Sequence, residues 1–429
     1  MRILWMSPVI LSKNNNSTGS WLYSMHKLLV ESKEVCIVNI TIDWSRRTGG
    51  IKHIHTADGI EEYVLPNYIH LKRNKVPLPF YRKKIEDIIR ESNADIIHIW
   101  GTETYFSKLV ATLKLNIPTL LEIQGLRYEY ADVFRGDLTL MDSIKTLDFK
   151  DFITFGKFSL FQEEKKFKRQ GYFDKIAISK FEYISTQSQW VRDVIQFYTN
   201  ARIYKTKMSI RQDFLDAPVW MYPQEDCPSF YFSASGAIPY KCVQTAFKAL
   251  ALVKLKHPNA RLKIAGYSNL GTKGGKNGYQ KYLIRLINEL NISDSVDFLG
   301  RLTAEEIIAV QYKCVAVIQT SFIETYSLAC AEALCLGTPL ISSFAGAIPE
   351  LGKERETILY YQPGDYRICA ARMIELIENR ALANRLSKNA VSLNRRKHNS
   401  NDVLQCQLGI YRDIMNRELE HSSKQNEYN

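Results

Sequence analysis

Short, nearly unbroken apolar runs alternate along this chain with segments whose apolar residues recur every three to four positions. The runs at 3–6, 35–40, 96–100, 119–123 and 176–178 read as strands buried on both faces, since a parallel sheet covered by helices offers no solvent face to alternate toward. A second set follows at 230–233, 262–265, 296–299, 315–318 and 339–341. Between them, 21–31, 81–91, 243–256, 280–290 and 304–313 carry the helical period. Strand alternating with helix, twice over, predicts an α/β protein of two doubly wound, Rossmann-like domains.

The two series are separated at 216–228 (DAPVWMYPQEDCP), where three prolines interrupt both periods. The expected domains are therefore 1–216 and 217–400. Residues 401–429 form a last segment in which Leu404, Leu408, Tyr411 and Met415 share one helical face. That helix packs on its own domain or crosses back to the first, and the polar end from His421 frays.

Composition narrows the function. With 45% hydrophobic and 24% charged residues, 21 Gly and 13 Pro in 429, the chain is globular rather than disordered. A formal charge of +12 calls for an anionic partner. The excess is spread over both halves with no basic tail, which favours a phosphorylated ligand or an acidic membrane face over nucleic acid. Eight cysteines without a Cys-x-x-Cys pair, and no His at the usual zinc spacing, support neither a disulfide framework nor a metal site, and suit a reducing cytoplasm. The first residues, MRILWMSPVILS, are too short in their apolar run for a signal segment. No apolar stretch approaches the roughly 20 residues that span a bilayer.

The most informative stretch is 321–350, SFIETYSLACAEALCLGTPLISSFAGAIPE. It follows a buried strand, becomes a helix capped at Thr325 or Ser327, and ends at Gly337 with Pro339 beyond. A helix N-terminus after a parallel strand presents free amides and the positive end of the dipole, which suit a phosphate. Glu324 precedes this helix, and Glu332 lies within it among Ala329, Ala331, Ala333 and Leu334. A carboxylate there needs partners, whether hydroxyls, a cation or water.

In that order the segment resembles the signature of the retaining glycosyltransferases of family 4, two-Rossmann enzymes of GT-B fold whose domains face a central cleft. The matching positions are Ser321, Glu324, Glu332-Ala333, Gly337-Thr338-Pro339, Gly346-Ala347 and Pro349-Glu350, with Phe298-Leu299-Gly300 and Ile264-Ala265-Gly266 upstream and 360–365 downstream. The resemblance covers about 230–370. It implies a nucleotide-diphospho-sugar donor in the second domain and an acceptor in the first. Glu332 then binds the ribose hydroxyls, the amides of Tyr326, Ser327 and Leu328 beside Thr325 hold phosphate, Glu324 orients the transferred sugar, and Lys241 neutralises the diphosphate. Gly266, Ser235 and Gly236 fall in donor-side loops, and Gly19 in the loop after the first strand.

Two positions depart from the family pattern. Ser235-Gly236 stands where an Arg is usual, so that Arg127 or Arg301 would have to supply the second cation. Gln124 replaces a frequent His and can bind a sugar hydroxyl but not exchange a proton near neutral pH. His98, inside an apolar strand, reads as a core or rim residue. No Asp-x-Asp occurs, so the implied transfer needs no metal or other cofactor.

Basic and aromatic residues mix at 150–175, where Lys165, Lys166, Lys168 and Arg169 could meet anionic headgroups while Phe158, Leu160, Phe161 and Phe167 contact lipid. The alternative is a solvated helix face with its aromatics in the core. The reading as a whole is a cytoplasmic, peripherally membrane-associated hexosyltransferase (EC 2.4) that extends a polyprenyl-diphosphate-linked glycan in bacterial surface-polysaccharide or capsule biosynthesis. The alternatives are a GT-B nucleotide-sugar epimerase and a catalytically impaired sugar-nucleotide-binding protein.

Overall fold

The computed structural model describes residues 1–13, 20–46, 49–56, 59–67, 79–147, 149–153, 156, 159–234, 238–266 and 278–427. The chain divides into two compact units, one of 1–128, 170–209 and 398–429, the other of 129–169 and 210–397. Each is built on its own sheet.

The first unit's sheet contains β1 (Arg2–Met6), β2 (Cys36–Asp43), β3 (Lys52–His55), β4 (Glu61–Pro66), β5 (Ile96–Trp100), β6 (Thr119–Ile123), β7 (Tyr183–Thr186) and β8 (Arg202–Lys205). Their order is β3-β4-β2-β1-β5-β6-β7-β8, parallel except where β3 pairs antiparallel to β4. Alternate residues of β1 enter opposite cores: Leu4 and Met6 pack on one face, Ile3 and Trp5 on the other. This two-sided burial is why the strand reads as a continuous apolar run. The face holding Trp5 is covered in part by the last helix, Ser400–Glu427, whose Tyr411 hydroxyl accepts from Trp5 Nε1 at 3.2 Å and lies 2.7 Å from His98 Nδ1.

The second unit's sheet contains β9 (Ser229–Ala234), β10 (Arg261–Gly266), β11 (Val296–Gly300), β12 (Ala316–Gln319), β13 (Leu340–Ser343) and β14 (Ile358–Tyr361), in the order β11-β10-β9-β12-β13-β14. All pairs are parallel. The chain winds outward one way from β9 to β11 and the other way from β12 to β14, so the order reverses between β9 and β12. Ligands of doubly wound sheets bind outside the carboxyl ends of the strands at such a reversal.

Two expectations are corrected. Residues 176–178 are not a strand but the end of the helix Leu160–Ile178. Ala177 and Ile178 are buried while Ile176 is exposed, a one-sided pattern that three residues are too few to reveal in sequence. The division of the chain also falls elsewhere than at 216: it crosses between Ser209 and Ile210, and residues 129–169 belong with the second sheet. Polar and aromatic contacts hold that excursion there. Thr245 Oγ1 is 3.3 Å from Asp137 Oδ2, and Tyr130 stacks on Tyr240 at 5.1 Å. A Cβ at Gly278 would fall 2.2 Å from the carbonyl oxygen of Thr146, so only glycine permits that approach.

Candidate functional site

The reversal point of the second sheet is where the chemistry-bearing residues meet. β9 leads toward a short 3-10 turn, Pro239–Lys241, followed by the helix Val243–Val253, with Cys242 between them at φ 50°. β12 leads into Thr320–Ser327 and then the helix Leu328–Leu336. The two loops are stitched together by Thr320 Oγ1, which donates to the Lys241 carbonyl at 2.6 Å, and by the Phe322 amide, which donates to the Tyr240 carbonyl at 2.8 Å.

Glu324 is the centre of this arrangement and is only 7% exposed. Its Oε1 accepts from Lys241 Nζ at 2.5 Å, Ser321 Oγ at 2.7 Å and Gln319 Nε2 at 2.8 Å. All three contacts fall on that one oxygen. The main chain beneath is held by the 344–347 loop. The Ala347 amide donates to the Glu324 carbonyl at 2.8 Å, and Gly346, at φ 53°, lies so close that a Cβ would stand 2.2 Å from that oxygen. Both the close approach and the left-handed backbone require glycine at 346.

Ser327 is the N-cap of the helix that follows, but its φ of 77° and ψ of 86° aim its side chain away from the first amides, which it does not cap. Its hydroxyl accepts instead from Gln319 Nε2 at 3.2 Å. A left-handed non-glycine residue is strained, and such strain gathers at ligand-binding turns. Thr325 and Tyr326 are buried, and Thr325 Oγ1 lies 3.2 Å from the Tyr130 hydroxyl. Leu328 is half-buried, and Gly337, at φ 90°, ends the helix where the sequence places its stop.

Glu332 has a partner that sequence reasoning missed. Arg211 grips it through both arms of the carboxylate, Nε to Oε1 at 2.6 Å and Nη2 to Oε2 at 2.7 Å. Both residues are below a tenth exposed. Burial by itself would lower the Arg211 pKa, but the hydrogen bonds and charge of Glu332 outweigh it and hold the guanidinium above its ordinary value. Of the partners this acid among alanines requires, a cation is supplied within the chain by Arg211. No local pattern announces Arg211, which lies 121 residues away in sequence.

The remaining candidates sit apart. Arg127 is no spare cation: in the first unit it chelates the buried Asp174 at 2.6 and 2.7 Å. Arg301 stands exposed after β11, two strands from the reversal point. Gln124 follows β6, with its Cγ 3.6 Å from the position a Cβ would take on Gly101 after β5. His98 is a core histidine, fully buried, its pKa lowered to about 3 by burial. Gly266 ends β10 at φ 109°, and Gly19, Ser235 and Gly236 lie outside the described residues.

Lys165, Lys166, Lys168 and Arg169 are exposed, although Lys168 pairs with Glu164 at 2.9 Å. Of the apolar residues expected to touch lipid, Phe161 and Phe167 are half-buried against protein neighbours. Leu160 is buried, Phe161 lies under the Arg135 guanidinium at 4.9 Å, and Phe167 packs on Phe134 at 5.0 Å. Phe158 lies outside the described residues. Among the described residues no helix is long and apolar enough to cross a membrane.

The deciding observation is the sheet reversal that places Lys241, Glu324 and an uncapped helix start together, within a stretch that a known family also covers. Residues 224–392 match the family Glycosyl transferases group 1. The chain is 29% identical over 156 residues to glycogen synthase of Mycobacterium tuberculosis (strain CDC 1551 / Oshkosh), covering 36% of each chain. The chain thus spans about a third of the length of that curated relative.

Solved structures extend the likeness to nearly the whole chain. Sucrose-phosphate synthase from Thermosynechococcus elongatus superimposes with a TM-score of 0.71 at 13% identity, over 97% of this chain and 100% of that one. Anabaena Alr3699/HepE, solved with UDP-glucose, gives 0.64 at 15% identity over 96% and 99%. The fold is the GT-B fold of these glycosyltransferases, two parallel-sheet α/β units.

Proposed function

We propose that this chain is a retaining glycosyltransferase that moves a sugar from a nucleotide-diphospho-sugar to a glycan acceptor. The observation that carries the reading is the pairing of Lys241 with Glu324 at the reversal point of a sheet within the group 1 region. In this reading the ribose hydroxyls donate to the carboxylate lone pairs of Glu332 that Arg211 leaves unused. The diphosphate rests on the amides of Tyr326, Ser327 and Leu328 at the positive end of the helix. As the bond from the anomeric carbon to the diphosphate breaks, Lys241 takes up the developing negative charge without an obligatory metal. Glu324 Oε2 accepts from a hydroxyl of the transferred sugar. Gln124, beyond the carboxyl end of β6, binds a sugar hydroxyl on the acceptor side.

The finer acceptor assignment is a polyprenyl-diphosphate-linked glycan of bacterial surface-polysaccharide assembly, met at the cytoplasmic membrane face. The exposed cations Lys165, Lys166, Lys168 and Arg169 support an anionic surface of that kind. A second reading, a sugar-nucleotide-binding protein with impaired catalysis, is favoured by the two departures from the resembled family's pattern, Ser235-Gly236 where an Arg is usual and Gln124 where a His is frequent.

Incubation with a panel of nucleotide-diphospho-sugars, with and without EDTA, tests both. Slow release of free sugar by the wild type, persisting in EDTA and lost in Glu324→Gln, supports transfer. Thermal stabilisation by nucleotide without turnover supports the second reading. Neither turnover nor stabilisation rejects both.

A further inference from the structure

We propose that His53, His55 and Glu61 form a binding site for a divalent transition-metal ion at the edge of the first unit's sheet. The three lie on the antiparallel pair β3–β4, where His53 stands opposite Tyr63 and His55 opposite Glu61. Side chains two apart on a strand share a face, and directly opposed residues share it too. The pleat therefore presents both imidazoles and the carboxylate to the same side. One ligand atom from each residue lies within 4.8 Å of the others.

The spacing fits a metal without rebuilding the backbone. Metal–nitrogen and metal–oxygen bonds of about 2.0–2.1 Å in tetrahedral geometry separate two ligand atoms by about 3.4 Å. His53 Nε2 and Glu61 Oε1 are 3.4 Å apart. The His53 and His55 ring centres are 4.2 Å apart, so a rotation of the exposed His55 ring completes the set.

The supporting contacts are of the kind that orient ligands. His53 stacks flat on Tyr63, 3.9 Å between centroids at 11°. Glu61 is turned by Arg2, whose Nη2 donates to Oε2 at 2.9 Å and leaves Oε1 toward the histidine. Arg2 is itself pinned by the Ser92 carbonyl at 2.6 Å. Outer partners of this kind fix the orientation of ligating groups.

Two imidazoles and one carboxylate suit zinc, copper, nickel or cobalt rather than magnesium or calcium, which prefer all-oxygen sets. The exposed position leaves further coordination sites to water or to a group from a second molecule. The site is carried wholly by the first unit and does not depend on the glycosyltransferase reading. It would clamp β3, whose sheet pairing is to β4, and so blunt an edge strand. The pattern escapes cysteine- and helix-based spacing rules because His-x-His forms a ligand pair only once a strand, and an opposing carboxylate, are in place.

The test uses the full-length, untagged chain stripped with a chelator and titrated with Zn2+, followed by equilibrium dialysis and by the visible absorption of Co2+ as a substitute probe. The expected result is one saturable equivalent, with tetrahedral Co2+ absorption, weakened at least tenfold in both His53→Asn and His55→Ala. Unchanged circular dichroism in these exposed-residue variants separates ligand loss from unfolding. An equivalent retained in both variants, or no saturable equivalent in the folded wild type, overturns the proposal.

Discussion

Replacing Arg211 with Met removes one partner of a charge pair that is under a tenth exposed on either side. At 2.6 Å and an effective dielectric of about 20, the attraction is about 6 kcal/mol before desolvation is set against it. Once desolvation is included, losing one member of a buried pair costs about 3–5 kcal/mol, because the other charge is left without a counter-ion. The cost should fall on the second unit alone. Trp220 is the single tryptophan in that unit, so 19F NMR of 5-fluorotryptophan-labelled protein in urea follows its unfolding through one resonance. Arg211→Met and Glu332→Gln should each lower the free energy of this transition by several kcal/mol. The double variant should recover a large part of the loss, since two neutral groups need no counter-ion. A loss below about 1 kcal/mol in Arg211→Met would refute the reasoning, as that is the range of solvated surface pairs. Strict additivity in the double variant would do the same.

Other outcomes follow from the same structure. Gly346→Ala places a methyl 2.2 Å from the Glu324 carbonyl at a positive φ, and should cost about 1–3 kcal/mol while lowering donor turnover more than nucleotide binding, measured by unfolding and by sugar release. Lys241→Met should reduce turnover about 10²–10³-fold if it serves the leaving group, read as a fall in kcat. The first unit's stability should vary with pH through two buried groups. His98, lowered to about 3 by burial, makes stability rise with pH between about 3 and its ordinary 6.5; Glu122, raised to about 7 by burial, makes it fall between its ordinary 4.5 and about 7. Each limb has a slope near 1.4 kcal/mol per pH unit, read in urea unfolding as the difference between the wild type and a variant that lacks the group. His98→Gln should flatten the first limb and Glu122→Gln the last.

Much of this protein is local in origin. The buried parallel strands, the helix from Leu328 with its stop at Gly337, and Glu324 at its approach are all set by residues near one another in sequence, because periodicity and capping act over one or two turns. Strands β3, β4, β7, β8 and β14 escaped because they are runs of only four to six residues, most of them broken by polar positions, too short for a period to show. What no window of sequence contains is how distant segments meet. Arg211 reaches Glu332 across 121 positions, Tyr411 reaches His98 across 313, and the 129–169 excursion joins the second sheet rather than the first. Those outcomes were decided by tertiary structure, because a buried charge takes whichever opposite charge the packed chain delivers, and a helix docks wherever its apolar face is covered.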